Sequence, residues 1–133
     1  MSLARRLALL IGLSGACLTA SGSTDSMDAY KREAALRIAG ASPESIAEAL
    51  PPMLKSVVVL DVAVDREGNL IHVSVRRSNG FRHLEKRAMD SVRRAAPYAP
   101  PGSLLARGKP SLHYLETFLF RDDGRFQIRS LAL

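Results

Sequence analysis

The chain of 133 residues is long enough for one hydrophobic core and too short for two domains with a deep cleft between them. Its composition, 47% apolar and 24% charged, is that of a globular protein and argues against intrinsic disorder. The single cysteine excludes an internal disulfide and a cysteine-based zinc cluster. The net charge is +6, and the basic residues are spread over all the elements without interleaved aromatic side chains, so we expect no nucleic-acid partner.

The first 22 residues have the three-part pattern of an export signal. Arg5 and Arg6 precede an apolar run over 7–13, and small residues follow. A helix over 7–20 would be about 21 Å long, short of the ~30 Å hydrocarbon core of a bilayer. This length favours a cleaved signal peptide over 1–22 rather than a short N-terminal anchor, and the mature domain is expected outside the cytoplasm.

The mature N-terminus is open to three interpretations. Small residues at 14–16 and again at 20–22 suit cleavage by a signal peptidase. The stretch 13–17, Leu-Ser-Gly-Ala-Cys, is similar to a bacterial lipobox, although its leucine stands four positions before the cysteine instead of three. That motif would make Cys17 a lipidated N-terminus. We expect membrane contact only through an uncleaved signal or a lipidated Cys17.

Residues 23–55 are predicted to form a helical lead-in. A helix is expected over 29–39, where apolar residues recur every four positions: Tyr30, Ala34 and Ile38. Gly40 ends this helix. A second short helical turn is predicted over 42–50, before a pair of prolines.

An antiparallel hairpin is predicted next. The first strand, over 56–64, is rich in β-branched residues, and its expected core side is formed by Val58, Leu60, Val62 and Val64. A turn over 65–69 leads to a second strand over 70–77. The apolar side of that strand is expected to consist of Ile71, Val73 and Val75.

A second helix and a second hairpin complete the order of elements. The helix is predicted over 82–96 from the helical spacing of its apolar residues Leu84, Ala88 and Val92. Two strands, over 111–120 and 125–131, flank an Asp-Asp-Gly turn.

This order predicts an α+β fold, with a three- to four-stranded antiparallel sheet and two helices packed on one face. The expected division of the chain is a signal peptide or short anchor over 1–22, the helical lead-in over 23–55 and a binding domain over 56–133.

The sequence offers no catalytic constellation. His72, His83 and His113 lie on different elements and have no second ligand at metal-binding spacing. The acidic turns lack the remaining oxygen ligands of a calcium loop, and no nucleophile, phosphate-loop or dinucleotide motif is present. We therefore expect a binding protein with no catalytic residues, no metal and no cofactor.

Four pieces of sequence occur in a characteristic order. They are the strand over 57–65 followed by Glu67-Gly68-Asn69-Leu70, a second strand closing in Ser78-Asn79-Gly80, the helix segment over 84–93, and Tyr98-Ala99-Pro100. With Phe118-Leu119-Phe120 as a last core strand, they resemble the C-terminal domain of the TonB family, which is related to the TolA C-terminal domain. The resemblance implies the same α+β fold.

The resemblance also implies a function and a location. Domains of this family lie in the periplasm of Gram-negative bacteria and bind envelope proteins by pairing an edge strand with an extended segment, which is β-augmentation. The expected partner is an outer-membrane receptor or another component of energy-dependent transport. The family's transducers carry an uncleaved transmembrane helix with a histidine and a long proline-rich spacer, which this sequence lacks, so we expect an adaptor.

The expected binding edge is the last strand. Its partner-binding residues would be Arg125, Gln127, Ile128 and Arg129. Charged side chains on an edge can instead prevent pairing, so a protected edge is the alternative. Two other functions stay open: a self-associating structural or envelope-assembly domain that forms a homodimer, and an inner-membrane-anchored energy transducer if the signal is not cleaved.

Overall fold

Six main elements follow one another in the computed structural model, which describes residues 23–46 and 54–132. They are α1 (Ser23–Ala41), β1 (Ser56–Asp65), β2 (Leu70–Arg77), α2 (Arg82–Ala95), β3 (Ser111–Phe120) and β4 (Phe126–Ile128). Short 3-10 turns are formed by Gly102–Leu104 and Arg129–Leu131. The predicted signal, with Cys17, and residues 47–50 of the predicted second turn lie outside the described residues.

The strands form one antiparallel sheet in the order β2-β1-β3-β4. The central pair, β1 and β3, stays in register without interruption from Ser56 opposite Phe120 to Asp65 opposite Ser111. Both helices pack on one face of this sheet, where their apolar side chains share a single core with those of β1. The predicted α+β fold is confirmed.

The core side of β1 is the predicted one, because Val58, Leu60, Val62 and Val64 are all fully buried. The predicted stripes of the two helices cover it: Tyr30, Ala34 and Ile38 from α1, and Leu84, Ala88 and Val92 from α2. The Tyr30 hydroxyl donates a hydrogen bond to the Ala99 carbonyl at 2.8 Å and so links α1 to the loop after α2.

The lead-in differs from its prediction in two ways. Helix α1 starts at Ser23 and continues through Gly40 to Ala41, because residues such as Met27 extend its contact with the core. The segment 42–46 is not a helical turn. Instead, the Phe126 N–H donates to the Glu44 carbonyl at 3.0 Å and the Ile46 N–H donates to the Phe126 carbonyl at 2.8 Å. This segment therefore runs beside β4 as a short parallel bridge.

Strand β2 carries two irregularities that its alternation does not predict. Val64 pairs with Leu70 and Ala63 with His72, which makes Ile71 an extra residue, as in a β-bulge. The prediction that Ile71 is buried is wrong, since 53% of its surface is exposed. A second shift makes Arg76 an extra residue between Val75 and Arg77.

Candidate functional site

The last strand is shorter and less open than the sequence predicts. It spans Phe126–Ile128, and the chain then enters the 3-10 turn Arg129–Leu131. Ile128 is 1% exposed and Gln127 8% exposed, whereas Arg125 and Arg129 are exposed. The expectation of an open edge is wrong at Phe126, because segment 44–46 takes up the outward main-chain groups of this residue. Partner binding by Arg125, Gln127, Ile128 and Arg129 stays a prediction.

A buried carboxylate explains why the β3–β4 ladder stops so early. Glu116 lies on the core side of β3 and is 2% exposed. Its Oε1 accepts hydrogen bonds from the Thr117 N–H at 3.0 Å and the Ser130 N–H at 3.4 Å, and its Oε2 accepts one from the Ser130 hydroxyl at 2.7 Å. These bonds take the place of the next strand pair, so the chain turns away from β3 at Arg129.

The carboxylate is costly to bury in its ionised form. Burial raises the pKa of Glu116, and the hydrogen bonds from Ser130 and Thr117 and the charge of Lys31 oppose this rise without cancelling it. Sequence reasoning missed this residue. The signal was present, since Glu116 occupies a core position in an otherwise apolar alternation of Leu112, Tyr114, Phe118 and Phe120.

The early end of β4 leaves the first half of β3 open. The Arg121 N–H donates to the Arg125 carbonyl on the β4 side of β3. The Phe120 carbonyl instead accepts a hydrogen bond from the main-chain N–H of Lys55 on the β1 side. Because main-chain groups alternate along a strand, those of Ser111, His113 and Leu115 face outward. Within the described residues no strand pairs with them. We call these outward groups the open β3 edge.

The open β3 edge is supported from behind by buried side chains and by pairing with β1. Leu112 and Tyr114 point into the core and are 8% and 6% exposed, while Leu115, which follows Tyr114, is 45% exposed on the helix-free face. On that face, His113 lies 3.3 Å from Asp61 through Nδ1 and 3.1 Å from Ser111 through Nε2. The edge is therefore a regular template, since β3 pairs with β1 behind it without interruption.

The opposite edge of the sheet, formed by β2, is less regular. The extra residues Ile71 and Arg76 interrupt the even spacing of its outward groups. Bulges of this kind protect edges against strand pairing. Of the two edges, the open β3 edge is the better template for an added strand.

The sequence motifs prove to be structural. Gly68 has φ of +91°, and a Cβ at this position would lie 2.1 Å from the Tyr98 carbonyl oxygen. The Tyr98 N–H donates to the Gly68 carbonyl at 2.8 Å, and the Tyr98 hydroxyl donates to the Val92 carbonyl at 2.6 Å. The glycine of the first hairpin and the aromatic residue after α2 therefore occur together because they touch.

The Ser78-Asn79-Gly80 turn has a similar role. The Asn79 amide donates to the Lys55 carbonyl at 3.1 Å and accepts from the Ser56 hydroxyl, which fixes the end of β2 to the start of β1. Ser78 is hydrogen-bonded to Glu85 in the first turn of α2. These residues position the strands and the helix.

Two further searches cover the described parts of the chain only. Residues 23–46 and 54–132 contain no helix that is both long and apolar enough to cross a membrane. In the same ranges, no three His, Cys, Asp or Glu side chains come together as a potential metal site.

An open sheet edge is the feature on which domains that bind by β-augmentation pair with an extended segment. Residues 48–109 match the family model described as the Gram-negative bacterial TonB protein C-terminal. This part of the chain is thus a TonB family C-terminal domain. No curated protein and no solved structure matches the chain.

The family match supports a location in the Gram-negative envelope and a TonB-like part in energy-dependent transport. It also supports contact with envelope proteins, since the family consists of protein-interaction domains. The matched region contains β1, β2 and α2 and ends before β3. Strands β3 and β4, and with them the open β3 edge, therefore lie outside the matched region.

Proposed function

We propose that this chain is a periplasmic adaptor that binds an extended segment of an envelope protein, either an outer-membrane receptor or another transport component. The segment would pair with the open β3 edge rather than with β4. The observation that carries this proposal is the regular row of main-chain groups at Ser111, His113 and Leu115, with which no strand in the described part of the chain pairs. The TonB family domain in the same chain supports the class of partner.

The side chains beside the edge favour a selective contact. A strand added here would place alternate side chains next to Leu115 and His113 on the helix-free face. Its other side chains would lie toward α1, beside Leu112 and Tyr114. Main-chain bonds would supply affinity, whereas Leu115 favours an apolar partner residue on the helix-free face.

Self-association through the same edge is the second candidate. Two open β3 edges could pair antiparallel around His113, because the regular register of β3 makes this edge complementary to itself. Size measurement by light scattering separates the two functions. A stable dimer that survives dilution and excludes other chains would favour self-association.

The adaptor function can be tested with one substitution and a matched control. Leu115→Pro removes an outward N–H that pairs with no strand among residues 23–46 and 54–132, and proline is tolerated at such an edge position. Leu115→Ala shortens the same side chain and keeps the N–H. A photo-crosslinking amino acid in place of His113 would capture partners in intact cells, and mass spectrometry would identify them.

We expect capture of an envelope protein by the chain with the Leu115→Ala change and loss of that capture with Leu115→Pro. Equal capture by the two variants would contradict pairing at this edge. The same preparation reports the mature N-terminus and so tests cleavage of the predicted signal and lipidation of Cys17.

A further inference from the structure

Three polar side chains on the helix-free face of the sheet form a hydrogen-bonded array. The Ser111 hydroxyl lies 3.1 Å from Nε2 of His113, and Nδ1 of the same ring lies 3.3 Å from Oδ1 of Asp61. Asp61 is on β1 and 52 positions from His113, so no local pattern signals this contact. The register of the sheet creates it, because His113 is paired with Ala63, which stands shortly after Asp61 on β1.

The hydrogen-bond partners of the His113 ring define its tautomer. An ionised carboxylate only accepts hydrogen bonds, so Nδ1 of His113 donates to Asp61, and the neutral ring keeps its lone pair on Nε2. The Ser111 hydroxyl therefore donates to Nε2. Asp65 is paired with Ser111 across the strands, but its carboxylate already accepts three hydrogen bonds from the turn that follows it. The proton of the Ser111 hydroxyl is thus directed at the imidazole.

A serine hydroxyl that donates to an imidazole, itself oriented by a carboxylate, is the arrangement that activates serine as a nucleophile. The main chain at Ser111 adds a further element. Its N–H faces outward at the open β3 edge, where no strand of the described residues pairs with it. A substrate carbonyl oxygen bound to this N–H would lie beside Oγ of the same residue. The N–H would then stabilise the negative charge that develops on that oxygen.

We propose that Ser111 is a reactive nucleophile that takes an acyl group from a carboxylic ester with a good leaving group. Oγ of Ser111 attacks the carbonyl carbon while Nε2 of His113 takes the Oγ proton, and Asp61 is the positioning residue for the ring. When the ester C–O bond breaks, the leaving alcohol receives that proton and the acyl group stays on Oγ. Nothing is oxidised or reduced. The reaction goes beyond the proposed function, because strand pairing needs no acyl transfer and Ser111 and His113 lie outside the family match.

A second serine–histidine pair on the same face supplies an internal comparison. Nε2 of His72 lies 3.0 Å from the Ser74 hydroxyl, and these residues are paired with Ala63 and Asp61 across the strands. Within the described ranges, the structure records no carboxylate in contact with the ring of His72. If the array only tied strands together, the serines of both pairs would react equally slowly. A faster reaction at Ser111 would therefore report the oriented imidazole and the outward N–H.

The test uses the full chain and p-nitrophenyl acetate at about pH 8, where a free imidazole is neutral. Samples are quenched with acid at intervals, and peptide mass spectrometry measures the acetyl group on each serine. General base catalysis contributes about 100-fold or more, and an exposed site is expected at the lower end of that range. We therefore expect Ser111 to be acetylated about 100-fold faster than the exposed Ser103, and faster than Ser74.

Three variants separate the roles of the residues. His113→Gln should lower the Ser111 rate to that of Ser103, and Asp61→Asn should lower it about tenfold because the ring loses its orientation. His72→Gln is the matched control and should change the rate by less than about twofold. The proposal is overturned if Ser111 in the unaltered chain reacts no faster than Ser103, or if the acetyl group is found on His113 or on lysines alone. It is also overturned if His113→Gln, folded by circular dichroism, keeps the Ser111 rate.

Discussion

Removing the hydroxyl group of Ser130 should destabilise the domain in a pH-dependent way. This hydroxyl donates to the buried carboxylate of Glu116 at 2.7 Å, and a hydrogen bond to a charged group contributes about 1.5–3 kcal/mol. We therefore expect Ser130→Ala to lower the free energy of unfolding by about 1.5–3 kcal/mol at pH 7.5. Ser103→Ala, at an exposed position, is the control and should change it by less than about 0.5 kcal/mol.

The direction of the pH effect follows from the pKa of Glu116. Folding raises this pKa above its ordinary value of 4.5, so the folded state holds the proton over a range of pH where the unfolded state has lost it. Stability from this group is therefore greatest in acid and falls as pH rises from 4.5 through the folded pKa. Ser130 favours the ionised carboxylate, so Ser130→Ala should steepen this fall.

Urea denaturation at two pH values measures both effects. One is pH 4.5, which equals the ordinary pKa of a glutamate side chain, and the other is about pH 7.5. The loss on Ser130→Ala should be larger at the higher pH, and hydrogen exchange of the Thr117 amide should become faster. If Ser130→Ala matches Ser103→Ala at both pH values, Glu116 does not end the ladder in the way described.

Three further substitutions test the positions of single residues. Gly68→Ala should lower the free energy of unfolding by more than about 3 kcal/mol or prevent folding, because the new Cβ would lie 2.1 Å from the Tyr98 carbonyl oxygen. Gly108→Ala is the control, because Gly108 also has a positive φ but no atom within 4 Å of the added Cβ. Thermal denaturation should show a loss of about 1–2 kcal/mol for this control. Tyr98→Phe removes the 2.6 Å bond to the Val92 carbonyl and should cost about 1 kcal/mol in urea denaturation, and an unchanged midpoint would contradict that bond. Ile128→Pro should unfold the domain, since Ile128 is 1% exposed in the core. Leu115→Pro should leave the circular dichroism spectrum of the domain unchanged. Similar spectra for the two variants would show that β4 is not part of the core.

The central elements could be predicted because their apolar spacing is unambiguous. Val58, Leu60, Val62 and Val64 alternate without interruption, and all four are buried. The stripe of Leu84, Ala88 and Val92 likewise predicts the buried side of α2. In these segments local periodicity and tertiary packing favour the same faces, so the pattern is sufficient.

The edges could not be predicted in the same way, because they depend on contacts distant in sequence. The pairing of Phe126 with residues 44–46 joins segments about 80 residues apart, and no local pattern signals it. The bulges at Ile71 and Arg76 depend on register with β1. The sequence therefore predicts a binding edge on β4, whereas the early end of β4 beside Glu116 leaves the open edge on β3.

The central claim is that an extended partner segment pairs with the open β3 edge. It is tested most directly by amide hydrogen exchange on the chain, with and without a synthetic peptide copied from the segment captured by crosslinking. The account predicts slower exchange of the outward amides of Ser111, His113 and Leu115, with those of Leu112 and Tyr114 unchanged, since they already face β1. Protection confined to β2 or β4, or no protection on β3, would contradict it.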